Sequence, residues 1–129
     1  MRVAVIGSRT TDLRHGPRVL HVFRKWFPQA ELVVSGDARG ADQFARLIAR
    51  ELELPLLLYL PNWERYGKRG GFERNTDIAR ECDICLAILS HPLSESRGSA
   101  DTIRKCRAMG KRVVIIHAFA DGTFRLSGE

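Results

Sequence analysis

The sequence predicts an α/β fold in which helices cover both faces of a mainly parallel sheet. Short apolar runs alternate with helical patterns along the chain, as in proteins built from strand–helix–strand units. The run Ile84–Leu89 is apolar throughout, which is typical of a strand buried on both faces. At 129 residues the chain is long enough for one sizeable core and too short for two, so we predict a single domain over residues 1–129.

The first half of the chain shows two strands and two helices. The β-branched content and the helical spacing of apolar residues predict, in order, a strand over Arg2–Gly7, a helix over Asp12–Phe27, a strand over Glu31–Ser35 and a helix over Ala41–Leu52. Pro17 marks the first turn of the first helix, which makes Gly7–Gly16 a long loop. The apolar stripes comprise Leu13, Pro17, Leu20, Phe23, Trp26 and Phe27 in one helix, and Ala41, Phe44, Ala45, Ile48 and Leu52 in the other.

The second half continues the alternation. The predicted elements are a strand over Leu56–Leu60, a polar loop over Asn62–Gly71, a helix over Phe72–Glu81, a strand over Ile84–Leu89, a loop over Ser90–Ser99, a helix over Ala100–Met109 and a strand over Val113–His117. Ile103, Cys106 and Met109 form the expected inward set of the last helix, and Gly110 ends it.

The connections predict the strand order. Right-handed crossovers give a five-stranded sheet in the order 3-2-1-4-5, and Asp121-Gly122 signals a C-terminal hairpin whose strand, Thr123–Leu126, runs antiparallel. The result is a Rossmann-like three-layer sandwich. Ligands of such sheets bind beyond the carboxyl ends of the strands, where the order reverses between strands one and four.

The composition is typical of a globular protein rather than of a membrane-spanning one. The hydrophobic fraction of 44% and the charged fraction of 28% are those of a globular protein, and no apolar run is long enough for a membrane helix. The net charge of +6 favours anionic partners or serves solubility. The three cysteines cannot all pair within the chain, so we expect a cytoplasmic protein.

The pair Cys82 and Cys85 has the spacing of half a zinc site or of a redox motif. No second pair accompanies it, Cys85 lies inside an apolar run, and the histidines show no ligand spacing. Buried structural cysteine is therefore the favoured interpretation, and we predict no metal site.

Glycine-rich loops follow three strands and carry the candidate chemistry. They are Gly7-Ser8-Arg9-Thr10, Ser35-Gly36-Asp37-Ala38-Arg39-Gly40-Ala41-Asp42 and Ser94-Glu95-Ser96-Arg97-Gly98-Ser99. Glycine lets backbone N–H groups approach an anion, and a helix N-terminus carries partial positive charge. The topology brings these loops together, which favours a shared phosphate-bearing ligand over simple turn chemistry.

These loops, together with Trp63, Tyr66-Gly67-Lys68, Arg74-Asn75 and Thr102, occur in an order that resembles the YspA-like branch of the SLOG superfamily. The similarity runs from strand one to strand five. The resemblance implies a Rossmann-like domain that binds nucleotides or nucleotide-derived ligands of the NAD, ADP-ribose or nucleoside phosphate type. It also implies self-association. Relatives include the cytokinin-activating phosphoribohydrolases and the DNA-processing protein DprA.

The resemblance also implies a set of ligand-binding residues. These are Gly7, Ser8, Arg9, Ser35, Gly36, Asp37, Arg39, Gly40, Asp42, Tyr66, Lys68, Arg74, Asn75, Arg97, Gly98, Ser99 and Thr102. Arginine suits phosphate oxygens, and Asp42 suits ribose hydroxyls or simply the start of its helix. Trp63 and Tyr66 either stack on a base or anchor their loop to the core.

The reaction expected of the phosphoribohydrolase relatives is not supported by the matching motif. Thr102 stands where those relatives carry a glutamate, and neighbouring Asp101 is turned by about 100° on a helix. We therefore expect a nucleotide-binding sensor or accessory protein. A glycosidic hydrolase using Asp37, Asp42 or Asp101 is the first alternative, and single-stranded nucleic-acid binding of the DprA type is the second.

Overall fold

The computed structural model describes residues 1–8, 13–36, 41–92 and 97–128. Within these residues lies a six-stranded sheet in the order β3-β2-β1-β4-β5-β6. Its strands are β1 (Arg2–Gly7), β2 (Leu32–Gly36), β3 (Leu56–Tyr59), β4 (Ile84–Leu89), β5 (Arg112–Ala118) and β6 (Phe124–Gly128). Neighbouring strands from β3 to β5 are parallel, and β6 runs antiparallel to β5. The predicted order and the predicted C-terminal hairpin are confirmed.

The described helices connect the strands as the α/β prediction requires. They are α1 (Gly16–Trp26), α2 (Ala41–Glu51), the short α3 (Trp63–Tyr66), α4 (Gly70–Glu81) and α5 (Arg97–Ala108), with 3-10 turns over Leu13–His15 and Gly67–Arg69. Pro17 lies in the first turn of α1, as its fixed φ favours. None of the described helices combines the length and the apolar character needed to cross a bilayer.

Two apolar clusters, one on each face of the sheet, make the structure a three-layer sandwich. On one face α1 and α2 bury residues such as Phe23 and Phe44 against β1 and β4. On the other face α4 and α5 bury Ile78 and Ile103 against the same strands. Successive side chains of a strand point to opposite faces, so the all-apolar β4 supplies both clusters.

The segment predicted as a loop over Asn62–Gly71 is largely helical. Asn62 caps α3 because its Oδ1 accepts a hydrogen bond from the Arg65 amide at 3.0 Å. Gly67 ends α3 with a φ of +56°, and α4 begins at Gly70 rather than at Phe72. The short helix escapes a periodicity analysis because four residues do not complete an apolar stripe.

The apolar stripes were predicted with partial success. Phe23, Phe27, Phe44 and Ile48 are buried, whereas Trp26 is 37% exposed and Met109 is 40% exposed. Val19 and Val22 take the inward positions on α1, and α5 ends at Ala108, before Met109. The side of a helix that faces the core depends on how the helix lies on the sheet, which apolar spacing does not specify.

Candidate functional site

The carboxyl ends of the parallel strands form the predicted ligand edge, and the switch point lies between β1 and β4. Residue 7, at the end of β1, has to be glycine, because a Cβ there would lie 1.9 Å from the carbonyl oxygen of Ile88 on β4. The amide of Ser8 donates to that same oxygen at 3.1 Å, and Ser8 Oγ accepts from the Ser90 amide at 3.1 Å. Gly7 and Ser8 therefore hold the two strand ends together.

Ser35 lies at the corresponding end of β2. Its side chain is fully buried, and its Oγ donates to the carbonyl oxygen of Val5 at 2.6 Å. The hydroxyl thus joins β2 to β1. Ser35 is therefore buried inside the sheet and is not exposed at the predicted ligand edge.

Arg74 reaches the predicted ligand edge from α4, in the helix layer that also contains α5. It lies near the start of α4, and its guanidinium packs against the backbone of Gly36, the last residue of β2. A Cβ on residue 36 would lie 2.4 Å from Arg74 Nη1. The missing side chain of Gly36 therefore makes the space in which the arginine head lies.

Asn75 fixes this arginine to α5. Its Oδ1 accepts from Arg74 Nε at 3.2 Å, while its Nδ2 donates to the carbonyl oxygen of Gly98 at 3.3 Å and to Asp101 Oδ2 at 3.3 Å. Asn75 is only 6% exposed; its bond to Asp101 is buried, and its bonds to Arg74 and Gly98 are partly buried. The side chain links the start of α4, where Arg74 lies, to the first turn of α5.

Asp101 completes the same network from inside α5. Its side chain is 5% exposed, Lys105 Nζ lies 2.8 Å from Oδ2, and Arg104 forms an ion pair with Oδ1. A carboxylate buried among such partners has a structural role. We call the set Arg74, Asn75 and Asp101 the α4–α5 clamp.

The first turn of α5 contains three of the predicted ligand residues. Arg97 and Gly98 are exposed, and Ser99 is buried. Thr102 is 2% exposed, and its hydroxyl donates to the Gly98 carbonyl at 3.2 Å within the helix. Thr102 is therefore buried and bonded within its own helix, whereas Arg97 and Gly98 are open to solvent at the start of α5.

The α3 segment, which precedes α4 in the chain, carries aromatic and basic side chains. Trp63 is 58% exposed, and its ring lies against the backbone of Gly70 and Gly71, where a Cβ would come within 2.9 and 3.7 Å of ring carbons. Arg65 lies over the ring of Tyr66 at 5.2 Å, and Lys68 is exposed. Trp63 thus rests on a glycine backbone and leaves much of its surface to solvent.

The predicted site residues Arg9, Asp37, Arg39 and Gly40 lie outside the described residues. Asp42 lies in the first turn of α2, and its side chain is likewise outside the described part. Among the predicted residues that are described, the structure brings Gly36, Arg74, Asn75 and Gly98 into one connected group. Asp101 belongs to the clamp but not to the predicted ligand set. The sequence feature that could have pointed to it is its i, i+4 spacing from Lys105, with which it forms an ion pair.

The cysteines are core residues. Cys82, Cys85 and Cys106 are all buried and free, and the Sγ atoms of Cys82 and Cys106 lie 4.0 Å apart. A hydrogen bond with Cys106 and burial raise the pKa of Cys82. The hydrogen bond with Cys82 lowers the pKa of Cys106, but a hydrogen bond with Cys85 and burial outweigh it and raise that pKa to about 12. No metal-binding cluster occurs among the described histidines, cysteines and carboxylates.

Comparison with known proteins finds no matching family model and no matching solved structure. Over 93 residues the chain is 33% identical to the Gene 61 protein of Mycobacterium phage D29, a match that covers 67% of this chain and 72% of the phage protein. The phage protein's name states no ligand or reaction. By the extent of this similarity, the chain belongs to the family of the Gene 61 protein of Mycobacterium phage D29.

Proposed function

We propose that this protein binds a nucleotide or nucleotide-derived ligand, of the NAD, ADP-ribose or nucleoside phosphate type, as a sensor or accessory protein. The observation that carries the proposal is the placement of Arg74. Its guanidinium lies on the glycine that ends β2, and Asn75 orients it through Nε. A guanidinium fixed at the ligand edge of a parallel sheet is well suited to hold a phosphate.

The start of α5 adds a second source of positive charge. Arg97 and Gly98 are exposed in the first turn of this 12-residue helix, whose N-terminus lies at the same edge because the helix follows β4 in a parallel sheet. Helix N-termini favour anions through their unpaired N–H groups and the helix dipole. Asn75 connects this turn to Arg74, so both groups belong to one rigid unit.

Trp63 supplies a surface for the base. It is more than half exposed and rests on Gly70 and Gly71 at the start of α4, the helix that carries Arg74. An indole ring held in this way stacks on an aromatic base at little entropic cost. The resemblance to the SLOG superfamily supports the same class of ligand and a homo-oligomer, and the three free cysteines support a cytoplasmic location.

The hydrolase alternative is weaker, because cleavage of a glycosidic bond needs a carboxylate that faces the ligand. Asp101 is buried and bonded to Asn75, Lys105 and Arg104, and Thr102 is bonded inside its own helix. Both residues are buried, and Asp37 and the Asp42 side chain, the other carboxylates of this alternative, lie outside the described residues. Binding without turnover is therefore the favoured function.

The proposal is tested with AMP, NAD and ADP-ribose by thermal melting and calorimetry. We expect one of these compounds to stabilise the protein, because a ligand that binds only the folded state raises the melting temperature. Arg74→Ala should weaken that binding by about tenfold or more, the value of a charge-assisted hydrogen bond. Arg80→Ala is the matched control, since Arg80 lies exposed at the far end of the same helix.

The outcome that rejects the proposal is equally clear. If none of the three compounds shifts the melting temperature, or if Arg74→Ala binds as tightly as Arg80→Ala, Arg74 is not a ligand contact. Release of free base, detected by chromatography, would establish the hydrolase instead. Binding of a single-stranded oligonucleotide that weakens steeply with salt would establish the nucleic-acid alternative.

A further inference from the structure

A groove between α1 and α2 lies on the helix layer opposite to α4 and α5, away from the α4–α5 clamp. It has a volume of about 460 Å³. Gly16, Pro17 and Leu20 of α1 form one wall, and Gln43, Arg46, Leu47 and Arg50 of α2 form the other, with Glu51 at one end. The groove is independent of the ligand site proposed above.

The lack of a side chain at Gly16 helps to shape the floor. A Cβ at this residue would lie 3.0 Å from Leu47 Cδ2, so the two helices approach closely here. Pro17 is exposed, and Leu20 and Leu47 are half-buried, so apolar surface remains open to solvent above the contact. A concave apolar surface between two helices accommodates a third helix through its apolar side chains.

Positive charge outnumbers negative charge among the residues that line the groove. Arg46 and Arg50 are exposed on the α2 wall, and Glu51 pairs with Arg50 at 3.5 Å. Residues 13–26, which form α1 and the turn before it, contain no acidic residue, so the α1 wall adds no negative charge. Complementarity therefore calls for an acidic partner.

This charge disfavours a second copy of the chain in the groove. A two-fold dimer through this face would set the arginines of one protomer against those of the other. Like charges brought together across an interface are unfavourable. The floor also argues against nucleic acid, because none of the described lining residues offers an aromatic ring for a base.

We infer that the groove between α1 and α2 binds an acidic amphipathic helix of a partner protein. Apolar side chains of that helix, spaced at i, i+3, i+4 and i+7, fill the space above Leu20 and Leu47. Its flanking glutamates or aspartates meet Arg46 and Arg50. The interaction combines an apolar anchor with a charged rim, as is usual for helix-in-groove recognition.

The test uses a fluorescein-labelled peptide of about 18 residues with leucine at i, i+3, i+4 and i+7 and with glutamate and alanine elsewhere, which favours a helix. A scrambled peptide of the same composition and a single-stranded oligonucleotide complete the probe set. We expect fluorescence anisotropy to show saturable binding of the amphipathic peptide. Binding should be at least about tenfold tighter than that of the scrambled peptide.

Charge reversal locates the binding. Arg46→Glu/Arg50→Glu changes exposed side chains only, so circular dichroism should show an intact fold. This variant should weaken peptide binding by about tenfold. Arg107→Glu/Arg112→Glu is the control, because it makes the same change in net charge at exposed residues outside the groove.

Three results would overturn the inference: no binding of the amphipathic peptide, equal binding of the scrambled peptide, or equal loss of binding in the two variants. Oligonucleotide binding lost in the groove variant, without peptide binding, would assign the groove to nucleic acid. ADP-ribose binding should be the same in the groove variant and in the unaltered protein. This separates a failure here from a failure at the ligand edge.

Discussion

The guanidinium of Arg74 occupies the place that a side chain on residue 36 would otherwise take. Such an arrangement has a cost, because glycine in a strand gives up packing and conformational entropy. Here the glycine lets an arginine from α4 reach the end of β2. At the scale of single residues, Gly36 and Arg74 therefore act as one unit.

This coupling can be measured. Gly36→Ala places a methyl group 2.4 Å from Arg74 Nη1 and must displace the guanidinium, which can move because it ends a flexible side chain. We expect Gly36→Ala to weaken ADP-ribose binding about tenfold in the native background and not at all in an Arg74→Ala background. The coupling energy is then about 1.4 kcal/mol. Calorimetry on the four proteins of the cycle gives the value; additive losses would show that Gly36 acts independently of Arg74.

Asn75 is the principal polar connection between α4 and α5 within the α4–α5 clamp. At the scale of elements, it joins the two helices of one layer at their N-terminal ends through the Gly98 carbonyl and Asp101. The helices also share the apolar cluster around Ile78 and Ile103. The directional hydrogen bonds fix how α4 and α5 are aligned with each other, which the non-directional apolar contacts do not.

Asn75→Ala should therefore destabilise the protein. The substitution leaves the buried Asp101 carboxylate with one partner fewer, for which we expect a loss of about 1–3 kcal/mol in the free energy of unfolding. Thr76→Ala is the control, since that hydroxyl donates to Phe72 of its own helix. Its loss should stay within about 0.5 kcal/mol. Urea unfolding compares the two, and equal midpoints would contradict a clamping role for Asn75.

A second connection ties β1 to the turn before β4. The Arg2 amide donates to Asp83 Oδ2 at 2.7 Å, and Arg2 Nη2 lies 3.3 Å from Oδ1. The backbone hydrogen bond first, and the side-chain hydrogen bond second, hold the pKa of Asp83 below its usual value. A lowered folded-state pKa means that the ionised carboxylate adds stability above its unfolded-state pKa, near 4, and loses it as the pH falls through the folded-state pKa.

Asp83→Asn should consequently lower stability at neutral pH and flatten the loss of stability on acidification. Arg2→Ala should retain part of the acid dependence, because the backbone amide of residue 2 remains. Thermal melting between about pH 7 and pH 3 measures both variants. If the melting temperature of Asp83→Asn falls with pH as steeply as that of the unaltered protein, another carboxylate controls the loss of stability in acid.

At the scale of the whole molecule, the sheet separates two cores, and the three cysteines lie in one of them. Cys82, Cys85 and Cys106 all belong to the cluster between the sheet and the α4–α5 layer. Burial contributes to the raised pKa of Cys82 and of Cys106, which disfavours the reactive thiolate. Access to these thiols therefore requires that layer to open.

We accordingly expect none of the three thiols to react quickly with Ellman's reagent in the native protein. All three should react after denaturation in guanidinium chloride. The absorbance of the released thionitrobenzoate counts them. A thiol that reacts in the native protein as fast as free cysteine would show that this layer opens readily.

Much of the fold follows from local sequence. The alternation of apolar runs and helical stripes predicted the strands and most of the helices, and Asp121-Gly122 predicted the hairpin, because each depends on a pattern within about ten residues. The strand order followed from the right-handed connections between these elements. The α3 segment and the exposed Met109 were missed. Short helices and helix orientation depend on capping and packing rather than on periodicity.

The sequence predicted where the candidate site lies in the fold, but not how its side chains are arranged. The sequence placed glycines and arginines at the ends of β1, β2 and β4, since parallel strands bring their carboxyl ends to one edge. It could not tell which polar groups face a ligand. Ser8 and Ser35 join strands, and Thr102 bonds within its helix.

The sequence by itself determined the α/β architecture and the strand order, and with them the sheet edge at which we propose that a ligand binds. Only the tertiary structure decided that Arg74 lies on Gly36 and that Asn75 connects it to Gly98 and Asp101. The physical reason is the range of the interactions. Periodicity is local, whereas each contact of this network, apart from the bond between Arg74 and its neighbour Asn75, joins residues more than 20 positions apart that meet only after the sheet has formed.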